Sequence, residues 1–275
     1  LGPTTEQAII EHPDIKAISF TGGTATGAHI AKVAAPMFKK LSLELGGKNP
    51  NIIFADCDYE DMLETTVRSS FANQGQICLC GSRIFVEASI YDTFKKDFVE
   101  KVKNLKVGHP SEATTNIGAL VSKPHLEKVM DYIHIAKEEN GKILCGGNKV
   151  IVEGFENGYY LEPTVIEVPN DDCRVNQEEI FGPVVTIMSF NREDEVLQMA
   201  NKVKYGLSAT LWTNNLKRTM RMSQQLQAGI VWVNTWMMRD LRTPFGGVKA
   251  SGVGREGGFE ALRFFTEAKN VCIKY

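Results

Sequence analysis

The stretch that decides the fold is IKAISFTGGTATGAHIAKVAAPMFKKLSLEL, residues 15–45. It begins with a short β-rich run at 15–20, passes through two glycines, and continues into a segment at 24–35 whose apolar residues recur near the helical period. A second β-rich run, KLSLEL, occupies residues 40–45. A strand, a helix and a strand in this order are typical of an α/β fold with a parallel sheet.

The same alternation continues along the chain. Further strands are predicted at 51–54, 83–86, 184–190, 207–213 and 230–234. Further helices are predicted at 58–74, 89–105, 123–140, 193–203 and 216–227. We therefore predict an α/β fold with a mostly parallel sheet. Two Gly-rich stretches, 141–160 and 244–258, interrupt the pattern and are predicted to be loops, where functional residues are often placed.

Length and composition indicate a globular protein. The chain has 275 residues, of which 43% are hydrophobic and 23% charged, and this excludes a disordered or collagen-like chain. A formal net charge of −2 provides no general attraction for nucleic acid or for an anionic membrane. No apolar run approaches the roughly 18 residues of a membrane span. The first residues, LGPTTEQAII, contain no targeting signal and are interpreted as a cut end.

The cysteines and histidines limit the kinds of functional site that the chain can form. The six cysteines form no CxxC pair and the chain has no N-x-S/T sequon, so a reducing, cytoplasmic compartment is expected. The five histidines show no HExxH motif or comparable cluster, and no metal site is predicted. Because there is no GxSxG sequence either, the chain lacks the motifs that a serine hydrolase or a zinc hydrolase requires.

Glycines could bring the backbone close to a phosphate in one place. Gly22 and Gly27 lie at the turn from the first predicted strand into a helix, where backbone N–H groups can bind a phosphate. The alternative is a plain strand-to-helix turn. A literal GxGxxG occurs at 252–257, but no strand is predicted before it, so it is interpreted as a coincidence in a Gly-rich loop.

Two residues could carry acid–base or nucleophilic chemistry. Cys78 follows a helix and a glycine turn, where a cysteine can be held as a reactive thiolate; otherwise it is a small buried apolar residue. Glu44 ends an apolar strand before Gly46 and Gly47, and it is either a general base or a solvated carboxylate. Neither residue is decisive by itself.

The combination of motifs resembles the NAD(P)-dependent aldehyde dehydrogenases over the whole chain. LELGGKNP (43–50) and FANQGQIC (71–78) are similar to the family's general-base and nucleophile signatures, and Glu44 and Cys78 stand 34 residues apart, as in that family. Three further motifs, FTGGTATG, EEIFGPV and PFGGVKASGVGRE, follow the family's order. Three longer stretches, 69–83, 107–129 and 234–247, are most similar to the branch that acts on muconic semialdehydes, members of which are also described as retinal dehydrogenases.

The resemblance implies a mechanism and a set of site residues. Cys78 would attack an aldehyde to give a thiohemiacetal, hydride transfer would leave a thioester, and Glu44 would activate the water that hydrolyses it. The oxyanion would be held by the Cys78 backbone N–H and by an Asn upstream of residue 1. NAD is the expected cofactor, with NADP not excluded. The residues implied for the cofactor are Gly22 and Gly27 at the pyrophosphate, Leu45 and Phe181 near the nicotinamide, and Glu179 at its ribose. Glu256 would relay protons near Glu44.

Substrate selection is expected from the loop at 234–247. Arg239 and Arg242 could bind a distal carboxylate beside Phe245, which favours an acidic aldehyde such as a muconic semialdehyde. The alternatives are an ion pair with Asp240 or solvent exposure. Retinal is the second substrate candidate.

The resemblance also implies an organisation in three parts. Residues 1–46 would be the end of a Rossmann-type cofactor domain, 47–246 the catalytic domain, and 247–275 a return segment whose strand NVCIKY pairs across subunits of a homo-oligomer. Because the family carries a further N-terminal portion, this chain alone could be inactive. Two other classes stay open: a non-catalytic binding or structural protein, and a cofactor-independent thiol hydrolase that uses Cys78 and Glu44.

Overall fold

The computed structural model describes residues 2–275 of the chain. Within this range the α-helices are α1 (Gly2–Glu11), α2 (Thr24–Ala34), α3 (Tyr59–Phe71), α4 (Tyr91–Lys103), α5 (Lys123–Glu138), α6 (Arg174–Gln177), α7 (Glu193–Asn201), α8 (Leu216–Gln225) and α9 (Gly258–Phe264). The strands are β1 (Ala17–Thr21), β2 (Lys40–Glu44), β3 (Pro50–Ile53), β4 (Arg83–Glu87), β5 (Lys142–Cys145), β6 (Lys149–Val150), β7 (Tyr160–Leu161), β8 (Thr164–Glu167), β9 (Val184–Phe190), β10 (Tyr205–Gly206), β11 (Ser208–Trp212), β12 (Ile230–Val233), β13 (Val248–Lys249) and β14 (Gly252–Val253).

Each of the predicted strands and helices is present, with ends that differ by up to three residues. Two loop predictions were wrong. The stretch 141–160 contains β5 and β6 as well as the start of β7, and the stretch 244–258 contains β13 and β14. Most of these strands are two residues long, which is too short to leave a recognisable period in the sequence.

The main sheet has seven strands in the order β12-β11-β3-β4-β9-β8-β5. Its neighbours are parallel except for the antiparallel pair of β5 and β8, which confirms the prediction of a mostly parallel sheet. Successive side chains point to opposite faces. Ile53 packs with α3 and α4 on one face, whereas Ile52 packs with α7 and α8 on the other. The sheet is therefore covered by helices on both sides, as expected of an α/β fold.

A smaller sheet, in the order β1-β2-β14, carries the first candidate site residues. β1 and β2 are parallel, with Thr21 opposite Glu44, and β14 is antiparallel to β2, with Gly252 also opposite Glu44. Helix α2 packs on this sheet through Ile30 and Ala34. Because parallel strands end at the same edge, the turn after β1 and the end of β2 lie side by side.

The two sheets occupy different parts of the chain. The seven-stranded sheet lies within 47–246, β1 and β2 lie within 1–46, and β14 returns from 247–275 to pair with β2. The division into three domains stays a prediction. In the described chain, residues 266–275 form neither helix nor strand, so the predicted pairing of NVCIKY with another subunit also stays a prediction. Among residues 2–275, no helix has the length and apolar composition that crossing a membrane requires.

Candidate active site

Cys78 lies in a loop whose conformation is set by residues just before it. After α3 the backbone takes positive φ angles at Asn73, Gln74 and Gly75, of 50°, 57° and 68°. A Cβ atom at Gly75 would lie 2.1 Å from the carbonyl oxygen of Gly182, so a glycine is required there. This turn reverses the chain and presents Cys78, half-buried, before β4 begins.

Asn49 connects this loop to the segment that follows Glu44. Its Nδ2 donates to the carbonyl oxygens of Cys78 at 2.7 Å and Cys80 at 2.9 Å, and its Oδ1 accepts from the Ser208 backbone N–H at 3.1 Å. The side chain is buried, and these bonds join three separate chain segments. Asn49 is therefore a positioning residue for Cys78, and sequence reasoning missed it because an Asn after a lysine is an ordinary loop residue.

Glu44 is buried at the end of β2, with 4% of its surface exposed. Among the described residues, nothing donates a hydrogen bond to either carboxylate oxygen. The pKa of its carboxyl group is raised from an ordinary 4.5 to about 7, chiefly by burial and also by the nearby Glu256, against the opposing charges of Arg255 and Arg239. A carboxyl group with this pKa can exchange a proton near neutral pH, as a general base must.

A cavity of about 480 Å³ opens between the two sheets and brings most of the predicted residues together. Six of them line it: Gly22, Glu44, Leu45, Cys78, Glu179 and Phe181. The other lining residues are Thr21, Gly23, Gly46, Gln76, Ile77, His125 and Lys128. A buried carboxyl group, a cysteine and the N-terminal end of a helix thus face one cavity.

Gly27 lies behind this cavity and is not among its lining residues. A Cβ atom at Gly27 would lie 2.4 Å from Leu45 Cδ2, so the glycine allows α2 to pack closely against the Leu45 side chain. Gly22 donates its backbone N–H to the carbonyl oxygen of Glu44 at 3.0 Å, which links the turn to the end of β2.

Glu179 and Phe181 enter the cavity from the loop between α6 and β9. Oε1 of Glu179 accepts from the Gly47 backbone N–H at 2.9 Å, and burial raises the carboxyl pKa. Phe181 has a φ of 60° and a ring that is 37% exposed. The first turns of α5 hold both residues: His125 Nε2 lies 2.6 Å from the Phe181 carbonyl oxygen, and Lys128 Nζ donates to the Glu179 carbonyl oxygen at 3.2 Å.

His125 and Lys128 were missed by sequence reasoning. Their spacing of three places them on one side of α5, and Ser122 caps that helix by accepting from the His125 backbone N–H. This sequence signal was available, but a basic helical face is more often simply solvated. The role of both residues at the cavity depends on contacts with the distant segment 179–181.

The thiol of Cys78 has a pKa above its ordinary value. The pKa of the thiol is raised to about 11, chiefly by burial and also by the carboxylates of Glu179 and Glu44, while Arg239 opposes them. In this structure Cys78 is a protonated thiol at neutral pH. It must therefore give up its proton before it can act as a nucleophile, and Glu44 is the base that shares its cavity.

The four remaining predicted residues occupy the edge of the site. Arg239 lies over the Phe245 ring at 4.0 Å from the centroid. Glu256 pairs with Phe245 through two backbone hydrogen bonds of 2.7 and 2.8 Å. Arg242 donates to Asp240 at 2.5–3.1 Å in an exposed ion pair, which was the alternative to substrate binding. The structure thus places Arg239, Phe245 and Glu256 near Glu44, whereas Arg242 forms an ion pair with Asp240.

The last two points about this region concern Cys80 and metal binding. Cys80 is buried, and its Sγ lies 3.9 Å from the Ala72 carbonyl oxygen, as expected of a small core residue. Within residues 2–275 no group of three or more His, Cys, Asp or Glu side chains is arranged to hold a metal ion.

Comparison with known proteins identifies the family. The model of the aldehyde dehydrogenase family matches residues 1–271. The chain is 52% identical, over all of its length and 57% of the relative's, to a 2-aminomuconic semialdehyde dehydrogenase of Danio rerio. It is 46% identical, over 99% of its length and 57% of the relative's, to a 2-hydroxymuconic semialdehyde dehydrogenase of Pseudomonas sp. (strain CF600).

A solved structure shows the same fold. Betaine aldehyde dehydrogenase of Staphylococcus aureus, crystallised in complex with NAD⁺, superposes with a TM-score of 0.92 at 38% identity. The match covers 95% of this chain and 52% of that one. The chain thus spans a little over half the length of the proteins it matches. From its motifs, its fold and these relatives, the chain belongs to the aldehyde dehydrogenase family.

Proposed function

We propose that the protein to which this chain belongs oxidises an aldehyde to its carboxylate with NAD, and that a muconic semialdehyde, first of all 2-aminomuconic semialdehyde, is the substrate. The observation that carries the proposal is the shared cavity of Cys78 and Glu44, a nucleophile and a base whose pKa is about 7. The substrate class is supported by the names of the two relatives and by Arg239 at the edge of the site.

The residues present fit a dinucleotide cofactor. Gly22 and Gly23 line the cavity at the start of α2, where no side chain caps the helix, so backbone N–H groups are available to a phosphate. A Cβ atom at Gly23 would meet nothing within 4 Å, which means that this backbone is open to a ligand. Oε2 of Glu179 has no donor among the described residues and could accept hydrogen bonds from ribose hydroxyls. The nicotinamide of the bound cofactor supplies the acceptor for the hydride.

The chain's own residues supply the remaining chemistry. Cys78 transfers its thiol proton to Glu44, and its sulfur forms a bond to the aldehyde carbon, which gives a tetrahedral alkoxide. The Cys78 backbone N–H donates to that oxygen. After the substrate carbon has lost its hydride, it is a thioester on Cys78. Glu44 releases the thiol proton to solvent and, again ionised, takes a proton from the water that attacks the thioester. The C–S bond then breaks, the acid product loses its proton to solvent and leaves as the carboxylate, and the Cys78 thiolate takes back the proton held by Glu44.

Arg239 supports an acidic substrate. Its guanidinium stacks on Phe245 and has no acidic partner among the described residues, so it can bind a carboxylate. We expect Arg239→Ala to raise the KM for acidic semialdehydes far more than for a neutral aldehyde. Equal effects on both aldehydes would mean that Arg239 only packs against Phe245.

Three further properties belong to the same proposal. A cytoplasmic location is supported by the six cysteines, which are all unpaired. A homo-oligomer is supported by exposed apolar side chains near the C-terminus, among them Phe265, Val271 and Ile273. NAD is preferred to NADP because NAD⁺ is bound in the Staphylococcus aureus structure.

The deciding experiment measures NADH formation by the full-length protein and, beside it, by the 275-residue chain. The substrates are 2-aminomuconic or 2-hydroxymuconic semialdehyde and retinal, and the variants are Cys78→Ala and Glu44→Gln. We expect a rate on the semialdehydes that disappears in Cys78→Ala and that loses its rise through pH 7 in Glu44→Gln.

The other outcomes distinguish the alternatives. Preference for retinal would keep the mechanism and refute the substrate assignment. Ester hydrolysis that needs Cys78 but is indifferent to NAD and to Glu179→Ala would indicate a thiol hydrolase. No rate with any aldehyde in the full-length protein would indicate a non-catalytic protein.

A further inference from the structure

A second arginine stands at the same aromatic cluster as Arg239. Arg68, in the last turn of α3, is exposed, and its guanidinium lies 5.6 Å from the ring centroid of Trp236. Its Nη2 donates to the Trp236 carbonyl oxygen at 3.3 Å. Trp236, Phe245 and Cys78 pack together in one apolar cluster. Two arginines therefore stack on two aromatic rings that border the nucleophile.

Neither arginine is neutralised by an acidic side chain. Most exposed arginines of the described chain form an ion pair: Arg174, Arg192, Arg221, Arg242 and Arg263. Arg68 and Arg239 form none within residues 2–275. Since a guanidinium without an ion-pair partner can bind an anion, both arginines are available to a carboxylate ligand.

The contacts of Arg68 leave most of its hydrogen-bonding capacity free. A guanidinium has five N–H donors in a fixed plane, and Arg68 uses one of them on a backbone carbonyl. Stacking on Trp236 orients the plane without using further donors. An arginine held in this way can bind a carboxylate through two parallel N–H groups.

We propose that Arg68 is a specificity-determining residue, which together with Arg239 attracts and holds the distal carboxylate of an anionic aldehyde while its carbonyl carbon is at Cys78. This inference rests on the proposed function and adds a residue on a different element, α3. It also restricts the substrate class: aldehydes with a carboxylate at the far end of the molecule are favoured over neutral aldehydes of equal length.

The test compares adipic semialdehyde with hexanal, which have the same chain length and differ in the terminal carboxylate. In the full-length protein, Arg68→Met is expected to lower kcat/KM for the semialdehyde about fivefold or more, mainly through KM, and to leave hexanal nearly unchanged. Arg68→Lys is expected to restore part of the loss because it keeps the charge. Lys217→Met is the matched control, since it removes one exposed positive charge from α8.

Two further readouts do not depend on the chemical step. Adipate is expected to inhibit the wild-type protein competitively and to bind at least fivefold more weakly to Arg68→Met. Raising the ionic strength is expected to reduce kcat/KM for the semialdehyde more in the wild type than in the variant. Equal losses on both aldehydes, or unchanged adipate inhibition, would show that Arg68 only packs on Trp236. A wild-type protein that oxidises neither aldehyde would refute the proposed function instead, and this inference with it.

Discussion

Glu44 shows how burial changes a single residue. Neither of its oxygens has a hydrogen-bond donor among the described residues, so ionising it inside the protein is costly. The folded protein keeps the proton up to about pH 7, whereas an unfolded chain releases it near 4.5. Between these values the folded state binds more protons, and the free energy of unfolding must therefore fall as the pH rises.

We predict that Glu44→Gln removes this dependence. The variant should match the wild type in stability at pH 4 and should be more stable at pH 8, by up to about 3 kcal/mol. Urea unfolding of both proteins at the two pH values measures the difference. A gain of the same size at pH 4 and pH 8 would contradict the assignment, because it would not come from the proton.

Cys78 is the second residue whose chemistry depends on its neighbours. Arg239 is the positive group that opposes Glu179 and Glu44 in setting the thiol pKa of about 11. We predict that Arg239→Met raises this pKa further, so that alkylation by iodoacetamide at pH 8 slows about two- to fivefold. The rate of loss of free thiol, corrected with a Cys78→Ala protein, measures this effect.

Arg192→Met is the control for Arg239→Met. Arg192 immediately precedes α7 and forms an exposed ion pair with Asp194. Its replacement changes the net charge by the same amount as Arg239→Met and does not alter the cavity. If both variants slow alkylation to the same extent, the local effect of Arg239 on Cys78 is refuted.

At the scale of elements, Asn49 joins the loop after β2 to the Cys78 loop and to β11. Replacing it with alanine would leave the Ser208 N–H and two carbonyl groups without their partner in a buried place. We predict that Asn49→Ala lowers the free energy of unfolding by about 2–4 kcal/mol. Urea denaturation measures the loss.

The matched control is Asn148→Ala. Asn148 is exposed, and its amide donates to Glu162 at the end of the β6–β7 pair opposite the connecting loop. Its replacement should cost less than about 0.5 kcal/mol. Equal losses in the two variants would show that the three bonds of Asn49 contribute little to the joining of these elements.

At the scale of the whole molecule, the C-terminal residues expose apolar side chains to solvent. Val271, Ile273 and Tyr275 are each more than two-thirds exposed, so three apolar side chains within five residues face solvent. We predict that a protein ending at Asn270 assembles into smaller species than the intact protein, as measured by sedimentation at matched concentrations. An unchanged mass would refute the role of this segment in subunit pairing.

The fold class and the family could be predicted because they depend on local sequence patterns. The alternation of strand and helix periods determined the α/β class and the mostly parallel sheet, since each element needs a continuous apolar side to pack. The motifs around Glu44 and Cys78 likewise determined the family, because this chemistry needs those residue types at those places in the chain.

Tertiary structure alone decided the electrostatics and the contacts between distant segments. The raised pKa values of Glu44 and Cys78 come from burial beside groups that are far away in sequence, such as Glu256 and Glu179. The two-residue strands have no periodicity, and Asn49, His125 and Arg68 gain their roles from partners 29 to 168 residues away. A chain sequence records the spacing along the backbone, whereas these properties depend on distance and solvent exposure, which exist only after folding.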